Sequence, residues 1–157
     1  IAGLESQVLQ GSTFPVALQK MVDTLAAAHP LRCRVTLDKT AAEHISTEQA
    51  LHLLNIVREA LSNSLRHAQA TKATVALKPL SRFIRLSITD NGIGFDPPGM
   101  HGVGHGLPNM AARARKAGGR FAVRSAPQHG TRITIDLPKE NSDAESESEH
   151  DSTAARR

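Results

Sequence analysis

Apolar positions recur along the chain with two periods, and the switches between them mark the expected elements. Ala17, Leu18, Met21, Val22 and Leu25 repeat at helical spacing behind Pro15, a residue suited to an early helical position, with Ser12 or Thr13 placed to cap. That helix is expected to stop near His29-Pro30, and Arg32 to Leu37 then reads as a short strand. Ser46 and Gln49 stand at the spacing of a capping box before a long helix predicted from about Thr47 to Ala68. On it Ala50, Leu53, Leu54, Val57, Leu61, Leu65 and Ala68 fall on one side, while Asn55, Glu59, Asn63 and His67 form a polar stripe on the other.

The period then changes to two. Ala73 to Leu77 and Phe83 to Thr89 read as strands joined at Pro79-Leu80-Ser81, with Ile84, Leu86 and Ile88 on one face. From Asp90 through Gly106 the chain is crowded with Gly and Pro, and little regular structure is expected there. Leu107 to Ala117 resumes helical spacing, with Pro108 in its first turn and Gly118-Gly119 at its end. Arg120 to Ser125 and Thr131 to Leu137 complete the list as strands joined by Pro127-Gln128-His129-Gly130. Hairpin strands with helices inserted between them point to an α/β (α+β) fold, a two-layer sandwich of a mixed sheet with helices on one face.

Composition bounds the possibilities. At 157 residues and 39% hydrophobic, the chain suits one main globular domain. No window approaches the length of a membrane span, and Ile1-Ala2-Gly3-Leu4-Glu5 lacks the basic-then-apolar pattern of a signal peptide, so neither is expected within these residues. Cys33 is the single cysteine, which excludes an intrachain disulfide and a cysteine-cluster zinc site and fits a reducing, cytoplasmic setting. The net charge of +4 divides unevenly: from Lys139 on, six acids face three bases, so the rest carries sixteen bases against nine acids, net +7. The acidic segment 139–157 has no apolar period and is expected to be disordered. Without Trp or Tyr and with four Phe, the basic part offers few stacking platforms for nucleic acid, and a small polyanion is the more economical partner.

Three constellations have candidate chemistry. Asn63 and Glu59, one turn apart, combine an amide oxygen with a carboxylate, a donor set that suits magnesium, and Arg66 adds a nearby cation; a solvated helix face is the alternative. Asp90 ends a strand before Gly92 and Gly94; its carboxylate accepts hydrogen bonds and so suits an exocyclic amine, while the DNG triplet also suits a hairpin or loop turn. Gly102, Gly104 and Gly106 precede a helix, where backbone N–H groups can meet an anion, although the loop can equally be a linker. It is neither a P-loop nor a dinucleotide fingerprint, and neither a zinc-protease helix nor a GxSxG elbow occurs.

In order and spacing, NIVREALSNSLRHA, DNGIGF, GHGLPNMAARARKAGG and SAPQHGTRITIDLP resemble the N, G1 and G2 boxes and closing strand of the ATP-binding domain of sensor histidine kinases, the GHKL or Bergerat fold. The detail looks like the nitrate-sensor and DesK-like subfamily, and the resemblance covers roughly residues 45 to 138. It implies ATP and Mg2+ as ligands. Asn63 is then the magnesium ligand, with Asn55 a weaker candidate and Glu59 a possible one. Arg66 neutralises phosphate oxygens and His67 lies beside sugar or base. Asp90 accepts from the adenine amine, Gly92 and Gly94 shape that floor, and Thr131 supports it through its hydroxyl. Gly102, Gly104 and Gly106, with Leu107, form the phosphate-facing lid. Glu59 stands where related ATPases activate water and where a kinase helps remove a proton from the attacking imidazole.

The implied function is transfer of the ATP γ-phosphate to a histidine on a separate dimerisation segment, for relay to a response regulator with helix-turn-helix output. No histidine here sits in the acceptor context of that subfamily; residues 1–11 resemble only the end of the preceding helix, and residues 12–138 form the catalytic domain. Alternatives are an ATPase or anti-sigma-type serine kinase of the same fold, or a non-catalytic docking module. Neither nucleic acid nor membrane contact is expected.

Overall fold

Helix α1, Phe14–Ala28, begins after Thr13 with Pro15 in its first turn, and no side chain caps it, so neither Ser12 nor Thr13 supplies the expected cap. The computed structural model describes residues 12–96 and 105–139, and within that span the helix buries Phe14, Ala17, Leu18 and Val22. Strand β1, Arg32–Leu37, leads into a short helix α2, Lys39–Glu43, which periodicity does not predict. It forms because the Asp38 carboxylate accepts the Ala41 N–H at 2.8 Å, and it buries only Ala41. Helix α3, Thr47–Arg66, opens on the expected capping box: Ser46 Oγ accepts from Gln49 N–H at 3.1 Å, and Ser46 N–H donates to Gln49 Oε1 at 3.0 Å. It stops two residues short of the expected end because the N–H groups of His67 and Ala68 both turn back to Asn63 O.

Strands β2, Lys72–Pro79, and β3, Phe83–Asp90, form a hairpin. Helix α4, Gly106–Lys116, is followed by β4, Arg120–Ser125, and β5, Thr131–Pro138. The strands form one five-stranded mixed sheet in the order β1-β2-β3-β5-β4, in which β1 runs parallel to β2 and the other neighbours are antiparallel. The parallel pair follows from the connection: α2 and α3 fill the crossover between β1 and β2.

Register explains the two layers. Val35, Val75, Ile88, Ile133 and Val123 align across the sheet, as do Leu37, Leu77, Leu86, Ile135 and Phe121 in the next row of the same face. This face joins Leu18, Leu53, Leu61 and Met110 of the helices in a single core. Burying each such side chain contributes roughly 2 kcal/mol before entropy is counted. The fold is the expected sandwich of mixed sheet and helices. Among the described residues no helix is long and apolar enough to cross a membrane. The expected helix end at 1–11, Gly102, Gly104 and the acidic segment beyond Lys139 lie outside the described residues.

Candidate functional site

The end of β3 decides where Asp90 points. Asp90 pairs with Thr131, and Thr131 with Ser125, so a polar row closes the helix-facing side of the sheet where the next row is apolar. Asp90 Oδ1 accepts from Gly92 N–H at 2.9 Å and Thr131 N–H at 3.2 Å, and Oδ2 lies 2.7 Å from Ser64 Oγ on α3. An ionised carboxylate has about four lone-pair sites, so three donors leave it room for one more. The Ser64 hydroxyl also lies 3.0 Å from Ala60 O; with a single proton it serves one acceptor at a time.

Thr131 reaches Asp90 by its backbone rather than through the hydroxyl that the resemblance implies. Standing between Asp90 and Ser125, it turns its amide to one strand and its hydroxyl to the other, where Thr131 Oγ1 is 3.0 Å from Ser125 Oγ. Ser125 Oγ in turn accepts Phe95 N–H at 2.9 Å and donates to Gly130 O at 2.8 Å, holding the segment after Gly94 against β4 and β5.

Two glycines are needed for contact. A Cβ on Gly92 would fall 2.5 Å from Ala68 O and would overlap Ala68 Cβ, because Ile93 N–H donates to Ala68 O at 2.8 Å and draws the chain onto the end of α3. Gly94 has φ +62°, and a Cβ there would run into Ala126 O. The DNG triplet thus makes an Asp-capped turn onto α3 and not a hairpin.

Beside Asp90 lies a cavity of about 240 Å³. Its walls are largely apolar, with Ala60 and Ala68 of the α3 end, Ile88 and Ile133 of the sheet, and Phe95 and Leu107 at the mouth; Asn63, Ser64, His67, Gly94 and Thr131 complete it. Asp90 and Asn63, separated by 26 other residues of chain, therefore face one space. Ser64, 2% exposed, is a site residue that the sequence reading misses. It follows Asn63 in the chain but falls on the buried side of α3, one turn after Ala60 and Leu61, and only its pairing with Asp90 marks it.

The predicted polar stripe on α3 is half-buried at Asn55, Glu59 and Asn63 and exposed at His67. It divides where α4 lands. Asn63 and His67 line the cavity, whereas Asn55 and Glu59 line a separate groove with Arg58, Asn109, Arg113 and Lys116. Asn55 Nδ2 donates to Leu51 O at 3.0 Å and its Oδ1 accepts from Arg58 at 3.4 Å. Arg66 is exposed at the helix end and outside the cavity lining. Gly106, the first residue of α4, sits over the junction: a Cβ there would lie 2.8 Å from Glu59 Oε1 and 3.2 Å from Asn63 Nδ2. The positive end of the α4 backbone thus meets the Glu59 carboxylate and the Asn63 amide in one place.

Among the described residues no cluster of three His, Cys, Asp or Glu side chains can hold a metal unaided. Magnesium does not need one, since it takes one or two protein oxygens and completes its shell with water and substrate phosphates; Asn63 with Glu59 fits that demand.

Residues 48–141 match the family model described as histidine kinase-, DNA gyrase B-, and HSP90-like ATPase. The sensor protein VraS of Staphylococcus saprophyticus is 42% identical over 96 residues, 60% of this chain and 28% of that protein, so the chain spans little more than a quarter of this curated relative. Among solved structures, the histidine kinase domain from the Erythrobacter litoralis EL346 blue-light activated histidine kinase superposes with a TM-score of 0.63 at 19% identity, over 82% of this chain and 62% of that one. The ATP binding domain of PrrB from Mycobacterium tuberculosis gives 0.60 at 24% identity, over 78% of this chain and 91% of that one.

Proposed function

The chain belongs to the histidine kinase-, DNA gyrase B-, and HSP90-like ATPase family, in the form that sensor histidine kinases carry, and we propose that it is the ATP-binding catalytic domain of such a kinase. It transfers the ATP γ-phosphate to a histidine on a separate dimerisation segment, and the phosphoryl group passes to a response regulator, in a kinase whose sequence pattern looks like that of the nitrate-sensor and DesK-like subfamily. It works in the cytoplasm. The observation that carries this reading is the shared cavity of Asp90 and Asn63.

A purine fits the cavity by chemistry and by size. Flat apolar walls take the ring, and the one remaining acceptor site of Asp90 takes its exocyclic amine. At about 240 Å³ the cavity holds a base and not a whole nucleotide, so the phosphates run out past His67 and Asn63 toward Gly106 and Arg66. There the amides at the start of α4, the Arg66 cation and the lid carrying Gly102 and Gly104 take anionic oxygens. Asn63, with Glu59 beside it, holds Mg2+, which when bound screens charge between the phosphates. Phosphoryl transfer asks the protein mainly for position and charge screening, so the chain's own contribution is to orient the nucleotide and exclude water. In this reading Glu59 takes a proton from the incoming imidazole.

Isothermal titration of a non-hydrolysable ATP analogue with magnesium tests this. The wild type is expected to bind and Asp90→Asn to lose most of its affinity; equal binding by both overturns the reading. Turnover of ATP by the isolated chain that Glu59→Ala abolishes would assign the domain to water-activating ATPases instead.

A further inference from the structure

The sheet face turned away from the helices is strongly cationic. Register sets Arg34, Thr74, Thr89, Arg132 and Arg124 in one row across all five strands. Arg32 and Lys72 stand in the row beyond, and Lys78, Arg85 and Arg120 in a row nearer the end of β5. These eight cations are all exposed, and among the described strand residues the face holds a single carboxylate, Asp136, already bound by Arg85 through two hydrogen bonds of 2.7 Å. Between the rows lie small side chains, Ala76, Ser87 and Ala122, and at one end of the face the Arg120 guanidinium lies over the Phe83 ring, 5.7 Å from its centre. The purine cavity is on the opposite side of the sheet, so a nucleotide there does not account for this charge.

The chain leaves the described fold at the edge of this face. Lys139 N–H donates to Arg82 O at 3.0 Å, which pins the exit beside the β2–β3 turn. Next come Glu140 and then Asp143, Glu145, Glu147, Glu149 and Asp151, the last five at every second position. In an extended chain alternate residues point the same way, about 6.7 Å apart, which is also the spacing of same-face rows along a strand. Residues 140 to 151 reach up to roughly 40 Å when extended, whereas an eight-residue strand covers about 27 Å, so the segment spans the face with length to spare.

We propose that the acidic segment 140–151 folds back across the open face of the sheet and sets its alternate carboxylates on the arginine rows. The chain thereby covers its own polyanion-binding surface, and salt releases it.

Nuclear magnetic resonance on the full chain tests this. At low salt the backbone of residues 143–151 is expected to show restricted fast motion, lost at about 0.5 M salt and in Arg34→Glu/Arg124→Glu/Arg132→Glu. Should that variant fold poorly, Glu145→Gln/Glu147→Gln/Glu149→Gln changes no described residue, and it is expected to free the segment and shift the amides of β1, β4 and β5 while leaving those around Asp90 in place. A wild-type segment as mobile at low salt as in either variant overturns the proposal. So does binding of a short DNA duplex to the full wild-type chain with the segment still mobile, which makes the face a nucleic-acid surface. Restriction that appears only as concentration rises, in step with dimer formation, also overturns it by assigning the contact to a second copy.

Discussion

Ser64 Oγ and Asp90 Oδ2 lie 2.7 Å apart, joining the last turn of α3 to the end of β3 at the wall of the cavity. The contact holds the carboxylate in place while leaving it an acceptor site for a ligand. Ser64→Ala should therefore lower stability by about 1–2 kcal/mol and weaken nucleotide binding severalfold, with the pocket otherwise intact. Asp90→Asn should cost more in binding, roughly 10- to 100-fold, because a charge-assisted bond to the amine is lost and an amide N–H now faces a donor. Thermal melts beside calorimetric titrations separate the two; a Ser64→Ala chain that binds as weakly as Asp90→Asn would show that the hydroxyl itself contacts the ligand.

Gly92 offers a packing prediction. An added methyl meets the carbonyl and Cβ of Ala68, and a helix end cannot give way as a flexible side chain can. Gly92→Ala is expected to destabilise by about 1–3 kcal/mol. Ala68→Gly in the same chain should recover only part, since the carbonyl remains; full recovery in denaturant titrations would mean that the Cβ contact alone matters.

Acid tests the ion pair of Arg85 and Asp136. Hydrogen bonding from Arg85, aided by the charges of Arg85 and Arg120 and opposed by partial burial, holds the Asp136 carboxyl below its usual range. A depressed acid stabilises the fold above its unfolded value, and that contribution disappears as pH falls through the folded one. Asp136→Asn should lower the melting temperature near neutral pH, and the deficit should shrink as pH falls through the depressed titration of the folded carboxyl. A mutant deficit that persists in strong acid would point to packing instead.

Cys33 should be slow to react. Half-burial, with a smaller contribution from the Asp23 carboxylate, pushes its thiol up to about 11. Near pH 8 only about one thiol in a thousand is then ionised. Alkylation is expected to be slow in the native chain and to accelerate sharply in denaturant. The neutral thiol favours the fold below its ordinary value, and this contribution falls away as pH climbs toward 11. Equal alkylation rates in native and denatured chains would contradict this environment.

Periodicity revealed most elements because the core is built on it: the residues spaced for α3 and for β2, β3 and β5 are those that bury. What it missed depends on contacts distant in sequence. Helix α2 rests on the Asp38 cap, which leaves no apolar rhythm. The stripe from Asn55 to His67 looks uniform until α4 is laid across Glu59 and Asn63. Thr131 was legible as a neighbour of Asp90, but only the register shows that its amide makes the contact. Ser64 was hidden among apolar residues, and the +7 of the folded part gave no sign that eight of its cations share one sheet face.

Strand β5 is the last of the described strands in sequence yet lies inside the sheet, between β3 and β4. During synthesis, a polypeptide that has emerged only as far as Ser125 has a β4 without a neighbour and an Asp90 without the Thr131 amide. The site cannot mature gradually on the ribosome: it forms when the final strand is released. A premature stop before Thr131 leaves β3 as a new open edge and β4 with no strand to pair with, a product for cellular proteases and not a weaker version of the domain.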